Sequence, residues 1–131
     1  MPNLQYLILV ECDIADISPL ANLKKLKYLE LFMNRITDIS PLAGCESLRD
    51  VNICFNPITD ISPLYGIETL ENIWASGLAC PLEQVEKLHA TFPSANILTR
   101  QTHSSTAYGW RQIPGYYEQR DLLGMWYTYE A

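Results

Sequence analysis

Apolar residues recur along the first half of the chain with a period of 22 residues. The segment Asp-Ile-Ser-Pro-Leu appears three times, starting at Asp16, Asp38 and Asp60. When Leu4 is taken as position one of the repeat, the apolar residues of the copies align at positions 4, 6, 11, 14, 17 and 20 as well. A fixed period of this length predicts a solenoid, in which each repeat buries its apolar face only against its neighbours.

Each repeat is expected to contain one strand and one short helical turn. Positions four to six alternate as strand residues do, so the stacked repeats predict a parallel sheet. The chain turns after the strand at position nine, which is Cys12, Asn34 and Asn56 in the three copies. We expect Asn34 and Asn56 to be structural, because an inward amide can satisfy the polar backbone groups of the turn.

A serine precedes the proline in each Asp-Ile-Ser-Pro-Leu segment. Proline suits the first position of a helix, and serine is a common N-cap. Ser18, Ser40 and Ser62 are therefore predicted to cap short helical turns on the convex side.

The fourth repeat breaks the pattern and marks the end of the solenoid. Leu78 stands at position nine, and no further Asp-Ile-Ser-Pro-Leu follows. Helical spacing of apolar residues instead predicts a true helix over Pro81–Ala90. Phe92-Pro93 would end this helix, and Asn96–Leu98 would add one last strand.

The aligned positions read L-x-x-L-x-L-x-x-N/C-x-I over about residues 4–69. This pattern resembles the leucine-rich repeat, in particular the 22-residue class found in bacterial internalins. The resemblance implies an α/β repeat fold: a solenoid with a parallel sheet on its concave face and short helical turns on its convex face. It places the repeats in residues 1–98. The first coil has no cap to cover its apolar face, so we expect the chain to be the C-terminal portion of a longer protein.

Residues 99–131 lack the repeat but hold seven of the chain's fourteen aromatic residues. Such density argues against disorder. A short helix is expected from about Pro114 to Leu123, with Gly124 as its C-cap. The segment resembles the closing segment of some leucine-rich-repeat surface proteins of Gram-positive bacteria. We expect it to cap the last hydrophobic layer of the solenoid, with an aromatic ligand site as the alternative.

Large apolar and aromatic residues also stand at outward-facing positions of the strands. A contiguous exposed patch of this kind marks an interaction surface, and aromatic residues and Met are enriched at protein interfaces. The sequence therefore predicts that the concave face binds a macromolecule, with a protein as the expected partner and a glycan as a possible one. The predicted binding residues are Tyr6, Tyr28, Glu30, Phe32, Met33, Asn52, Phe55 and Trp74. The alternative is a structural spacer whose concave face has no ligand.

Acidic residues outnumber basic ones 15 to 9, which opposes the phosphate neutralisation that nucleic-acid binding requires. The chain has no polybasic segment and no apolar run long enough for membrane insertion. Residues 1–5 lack the basic and apolar regions typical of a signal peptide, so none is expected in this sequence. If the parent protein matches the resembled family, its location is extracellular or at the cell surface.

No cofactor, metal or enzymatic activity is expected. The aligned Asp16, Asp38 and Asp60 supply one carboxylate per coil, too few for calcium. The four cysteines show no spacing typical of zinc sites. The segment His103–Ser105 and the pair Cys80 and His89 lack a recognisable third catalytic member.

Overall fold

The structure, a computed structural model, describes residues 2–99. Its strands are β1 (Tyr6–Ile8), β2 (Tyr28–Glu30), β3 (Asp50–Asn52), β4 (Asn72–Trp74) and β5 (Asn96–Leu98). Three 3-10 helical turns, here called the convex turns, span Ser18–Asn22, Ser40–Gly44 and Ser62–Leu64. One α-helix, α1, spans Leu82–Thr91.

The strands form one parallel sheet in the order β1-β2-β3-β4-β5. Neighbouring strands from β1 to β4 pair residues that are one repeat apart, as in Tyr28 with Asp50. β5 pairs Asn96 with Asn72, so the last repeat is two residues longer. The sheet lies on one side of the coil and the convex turns on the other, which confirms the predicted solenoid.

The core fills the space between the sheet and the convex turns. Leu29, Val51 and Ile73, one from each successive strand, are fully buried there. In the first repeat the corresponding Leu7 is only half-buried, because only the second repeat packs against it.

Helix α1 replaces the convex turn in the fourth repeat. It begins one residue later than expected, with Pro81 as its N-cap, and buries Leu88 in the core. The Gln84 side chain accepts a hydrogen bond from the backbone N–H of Ile61 at 2.9 Å. The Gln84 carbonyl accepts one from the Tyr65 hydroxyl at 2.8 Å. These bonds fix the helix to the convex side of the preceding repeat.

Asn34 and Asn56 join neighbouring repeats through buried amides. The Asn56 Nδ2 group donates to the carbonyl of Leu31 in the preceding repeat at 2.8 Å and to that of Ile53 in its own at 3.0 Å. Its Oδ1 atom accepts from the N–H of Ile36 at 3.2 Å. Asn34 makes the equivalent bonds one repeat earlier. Each amide therefore satisfies backbone groups of two coils at once.

The expectation that Ser18, Ser40 and Ser62 cap the convex turns is wrong. Each serine is the first residue of its turn, and none of the turns has a side-chain cap bond from its N-cap residue. The preceding aspartate acts instead: Asp16, Asp38 and Asp60 each accept the serine backbone N–H at 2.8–2.9 Å. A carboxylate two residues earlier accepts this first N–H of the turn in the manner of an Asx turn, and the serine lies inside the turn rather than at its N-cap.

Hydrogen bonds from the serines stabilise the charged form of these three aspartates and lower the pKa of each. The backbone N–H and hydroxyl of the following serine lower the pKa of Asp16 and Asp38 below the ordinary 3.8. For Asp60 the hydroxyl of Ser62 is the largest cause of the lowered pKa. Because the folded-state pKa lies below the unfolded one, the contribution to stability is present above pH 3.8 and is lost as the pH falls through the folded-state pKa.

We expect NMR titration to give carboxyl midpoints below 3.8 for all three aspartates. The Ser62→Ala substitution should raise the Asp60 midpoint and leave that of Asp16 unchanged. An Asp60 midpoint that does not respond to Ser62→Ala would contradict this hydrogen-bond assignment.

The predicted C-terminal segment lies outside the described residues except for Thr99. Its predicted helix, its predicted capping role and the predicted domain boundary between residues 98 and 99 therefore stay predictions. Within residues 2–99 no helix is long and apolar enough to cross a membrane.

Candidate interaction surface

The concave side of the sheet carries its own apolar cluster, separate from the core. Tyr28, Cys54 and Trp74 are buried in it, and Phe32 and Phe55 pack against it. The expectation that the predicted binding residues are all open to solvent is therefore wrong in part. Tyr28 and Trp74 are 0% and 6% exposed. Neither can be a primary contact for a partner while this packing persists.

A polar row runs beside this cluster along the starts of the strands. Asp50 is fully buried and accepts hydrogen bonds from Arg49 Nε at 2.9 Å and Asn72 Nδ2 at 2.7 Å. Asn72 in turn accepts one from Asn96 Nδ2 at 2.9 Å. Asn52, another predicted binding residue, is fully buried as well. The sequence pattern placed Asn52 on the correct face and did not indicate its burial.

Three of the predicted residues form an accessible apolar surface where the strands end, here called the apolar ridge: Phe32, Met33 and Phe55. The rings of Phe32 and Phe55 meet edge to face with centroids 5.6 Å apart. Met33 is 44% exposed, and the two rings are half-buried. The ridge therefore offers a partner an apolar surface supported by ring packing beneath it.

Tyr6 and Glu30 are half-buried, and Tyr6 packs against the cluster. The Tyr28 hydroxyl donates to Glu30 Oε2 at 3.0 Å, and the Tyr6 ring lies 6.3 Å from that of Tyr28.

Two ridge residues have an unusual backbone. Position eight of four successive repeats has positive φ: 51° at Glu11, 57° at Met33, 57° at Phe55 and 68° at Gly77. Left-handed φ costs a residue other than glycine about 1–2 kcal/mol. The backbone N–H groups of Met33 and Phe55 are held by the Cys54 and Ser76 carbonyls at 3.0 and 2.9 Å. The stacking of repeats thus imposes this conformation whatever residue is present.

Position eight of the fourth repeat, Gly77, requires glycine. A Cβ atom there would lie 2.6 Å from Cδ1 of Phe55, so only glycine leaves room for the ring. The sequence does not indicate the positive φ, because three of the four residues are not glycine or asparagine. Gly77 was the one signal that could have revealed it.

The repeats match known proteins. A family model for leucine-rich repeats, in two copies, matches residues 2–44 and 24–66. An internalin (inlF) from Listeria monocytogenes superposes with a TM-score of 0.70 at 28% identity, covering 79% of this chain. Internalin C2 of the same species superposes with a TM-score of 0.67 at 29% identity, covering 80% of this chain. The chain is a leucine-rich-repeat protein, and its coil is similar to those of internalins.

The leucine-rich repeats described here correspond to only part of these larger proteins. The chain covers 31% of the length of the first internalin and 46% of the second. No curated protein sequence is significantly similar to the chain.

The surroundings of Cys80 and His89 do not favour a catalytic role for this pair. Burial raises the pKa of the Cys80 thiol, which disfavours the reactive thiolate. His89 Nε2 lies 3.5 Å from the Thr99 hydroxyl. The segment His103–Ser105 lies outside the described residues. Among residues 2–99 no cluster of three or more side chains could hold a metal ion.

Proposed function

We propose that this leucine-rich-repeat protein binds a protein partner through the apolar ridge. The observation that carries the proposal is the presence of Met33 and Phe55 at left-handed φ. Glycine would adopt this conformation without strain, and Gly77 does so in the fourth repeat. Bulky apolar side chains at strained, accessible positions cost stability, and such strain is characteristic of functional sites.

The chemistry of the ridge favours a protein over a glycan. A site for a small polar ligand needs several directed polar groups around it, whereas all three ridge side chains are apolar. Rings and a flexible thioether suit the apolar centre of a protein interface. We expect the partner to present an apolar side chain that packs against the apolar ridge.

The proposal predicts that Met33→Asn weakens partner binding without loss of stability. Asparagine tolerates left-handed φ better than methionine, so the free energy of unfolding should be unchanged or slightly raised. An anchor at an interface contributes about 2 kcal/mol, so affinity should fall about 30-fold. The test is to identify proteins that the immobilised full chain retains and to measure their affinity for both forms.

Two substitutions serve as matched controls. Leu82→Asn removes an exposed apolar side chain, 69% accessible, from the convex helix. Glu11→Asn places the same residue type at the positive-φ position of the first repeat. Both should retain the partner. A spacer with no ligand would instead show no protein that distinguishes wild type from Met33→Asn, and that result would refute the proposal.

The location that we propose for the protein containing this chain is extracellular or at a bacterial cell surface. It rests on the internalin-like character of the repeats. Labelling of intact producing cells with a membrane-impermeant reagent tests it, because a protein inside the cell would stay unlabelled.

A further inference from the structure

The loops that lead into β2, β3 and β4 carry six exposed charged side chains, here called the charged face. The residues of the charged face are Lys24, Lys25, Lys27, Glu46, Glu68 and Glu71. Its lysines all precede β2, whereas its glutamates precede β3 or β4. Residues 2–99 contain six lysines and arginines, so half of their positive charge lies in this one short stretch before β2.

The positive and negative ends of the charged face are separated along the coil. Lys27 and Glu71 stand directly before β2 and β4, which are two strand spacings apart in the sheet, about 10 Å. Arg49 lies between them, and its Nε donates to Asp50 Oδ2 at 2.9 Å, so a carboxylate offsets its charge. The face is therefore positive before β2 and negative before β4.

The charges of this face are not neutralised by the coil itself. Within residues 2–99 none of its six side chains forms an ion pair. Lys25 Nζ donates to the neutral Asn3 side chain at 3.0 Å. The charged groups are thus available to a partner of opposite charge.

We propose that the charged face is the contact between two copies of this chain. A second copy turned by a two-fold rotation places the lysines of each copy opposite the glutamates of the other. The two-fold axis passes near Arg49, midway between the two ends. A partner of a single charge sign fits less well, because one end of the face would repel it.

A hollow at the centre of the charged face suits this arrangement. Its volume is about 360 Å³, and its walls include Lys27, Ser47, Glu68 and Glu71. In the two-fold arrangement the long side chain of Lys27 extends from each copy into the hollow of the other. Glu68 and Glu71 supply two carboxylates there for its ammonium group.

The charged face and the apolar ridge lie at opposite ends of the strands. The charged residues precede the strands, whereas Phe32, Met33 and Phe55 follow them. Two copies joined through the charged face therefore carry two ridges, and a partner with two matching sites would be held bivalently. The inference does not depend on the proposed function, because self-association is measured without the partner of the ridge.

Sedimentation equilibrium of the full chain at increasing concentrations tests the inference by charge exchange. We expect the wild type to be in equilibrium between monomer and dimer. One double variant is Lys24→Glu with Lys27→Glu, and the other is Glu68→Lys with Glu71→Lys. Each should weaken dimerisation about 10-fold or more, because like charges then face each other. An equimolar mixture of the two variants should restore dimerisation, since opposite charges meet again.

A matched control is Glu83→Lys with Glu86→Lys on α1, which changes the net charge as much as Glu68→Lys with Glu71→Lys. It should dimerise at least as strongly as the wild type. Circular dichroism checks that each variant is folded. The proposal is overturned by a monomeric wild type, by double variants that associate as strongly as the wild type, or by a mixture that stays monomeric. Species larger than a dimer would contradict the two-fold arrangement.

Discussion

The Asn56→Leu substitution is expected to lower the free energy of unfolding by about 3 kcal/mol. Leucine has a similar volume but cannot replace the side-chain hydrogen bonds to the backbone groups of Ile36, Leu31 and Ile53. Asn56 is 1% exposed, so water cannot reach the groups that lose their partner. Each buried group left unsatisfied costs about 1–3 kcal/mol. Chemical denaturation followed by circular dichroism measures the loss.

Asn22→Leu provides the matched control, since Asn22 is exposed at the end of the first convex turn. It should change the free energy of unfolding by less than about 0.5 kcal/mol. If Asn56→Leu were as mild as Asn22→Leu, the buried amides would not join the repeats as the structure shows.

The Gly44→Ala substitution should destabilise the protein by about 3 kcal/mol, near the upper end of the usual cost of overpacking. A Cβ atom at Gly44 would lie 2.0 Å from the carbonyl oxygen of Ala21 in the preceding convex turn. The Ala21 carbonyl belongs to the backbone, so it cannot rotate away from the added Cβ atom as a side chain could. The first two convex turns would have to move apart, which opens the core between Leu20 and Leu42.

Gly66→Ala is the corresponding control in the next repeat. No atom lies within 4 Å of a Cβ at Gly66. Alanine there should leave the stability unchanged or raise it by up to about 1 kcal/mol, because it restricts the unfolded chain. Equal effects of the two substitutions on the melting temperature would show that the close approach of Gly44 to Ala21 is not real.

The solenoid could be predicted from the sequence because the apolar positions repeat every 22 residues. Equivalent residues such as Leu26 and Leu48 occupy the same buried position in successive repeats, so a single alignment of the repeats accounts for the core. The last strand, Asn96–Leu98, was located correctly for a similar reason: Pro93 ends the helix, and apolar residues follow it.

The candidate interaction surface was less predictable, because the burial of concave side chains depends on contacts that the 22-residue repeat does not determine. Tyr28 and Phe32 both occupy outward positions, yet the first is buried and the second is partly open. Similarly, the positive φ of Met33 results from hydrogen bonds to the next coil and leaves no trace in residue type. The serines were misassigned as caps because Ser before Pro is typical of an N-cap, whereas each turn here begins at the serine and its N–H is accepted by the Asp two residues earlier.

The division of the concave side into the apolar ridge and the buried cluster of Tyr28, Cys54 and Trp74 is tested most directly by a soluble paramagnetic probe in NMR. Met33 is 44% exposed, and the Nε1 atom of Trp74 is buried. We predict that the probe strongly broadens the Met33 methyl signal, assigned through Met33→Leu, and leaves the Trp74 indole signal sharp. Equal broadening of both signals, or a Met33 signal protected from the probe, would contradict this division.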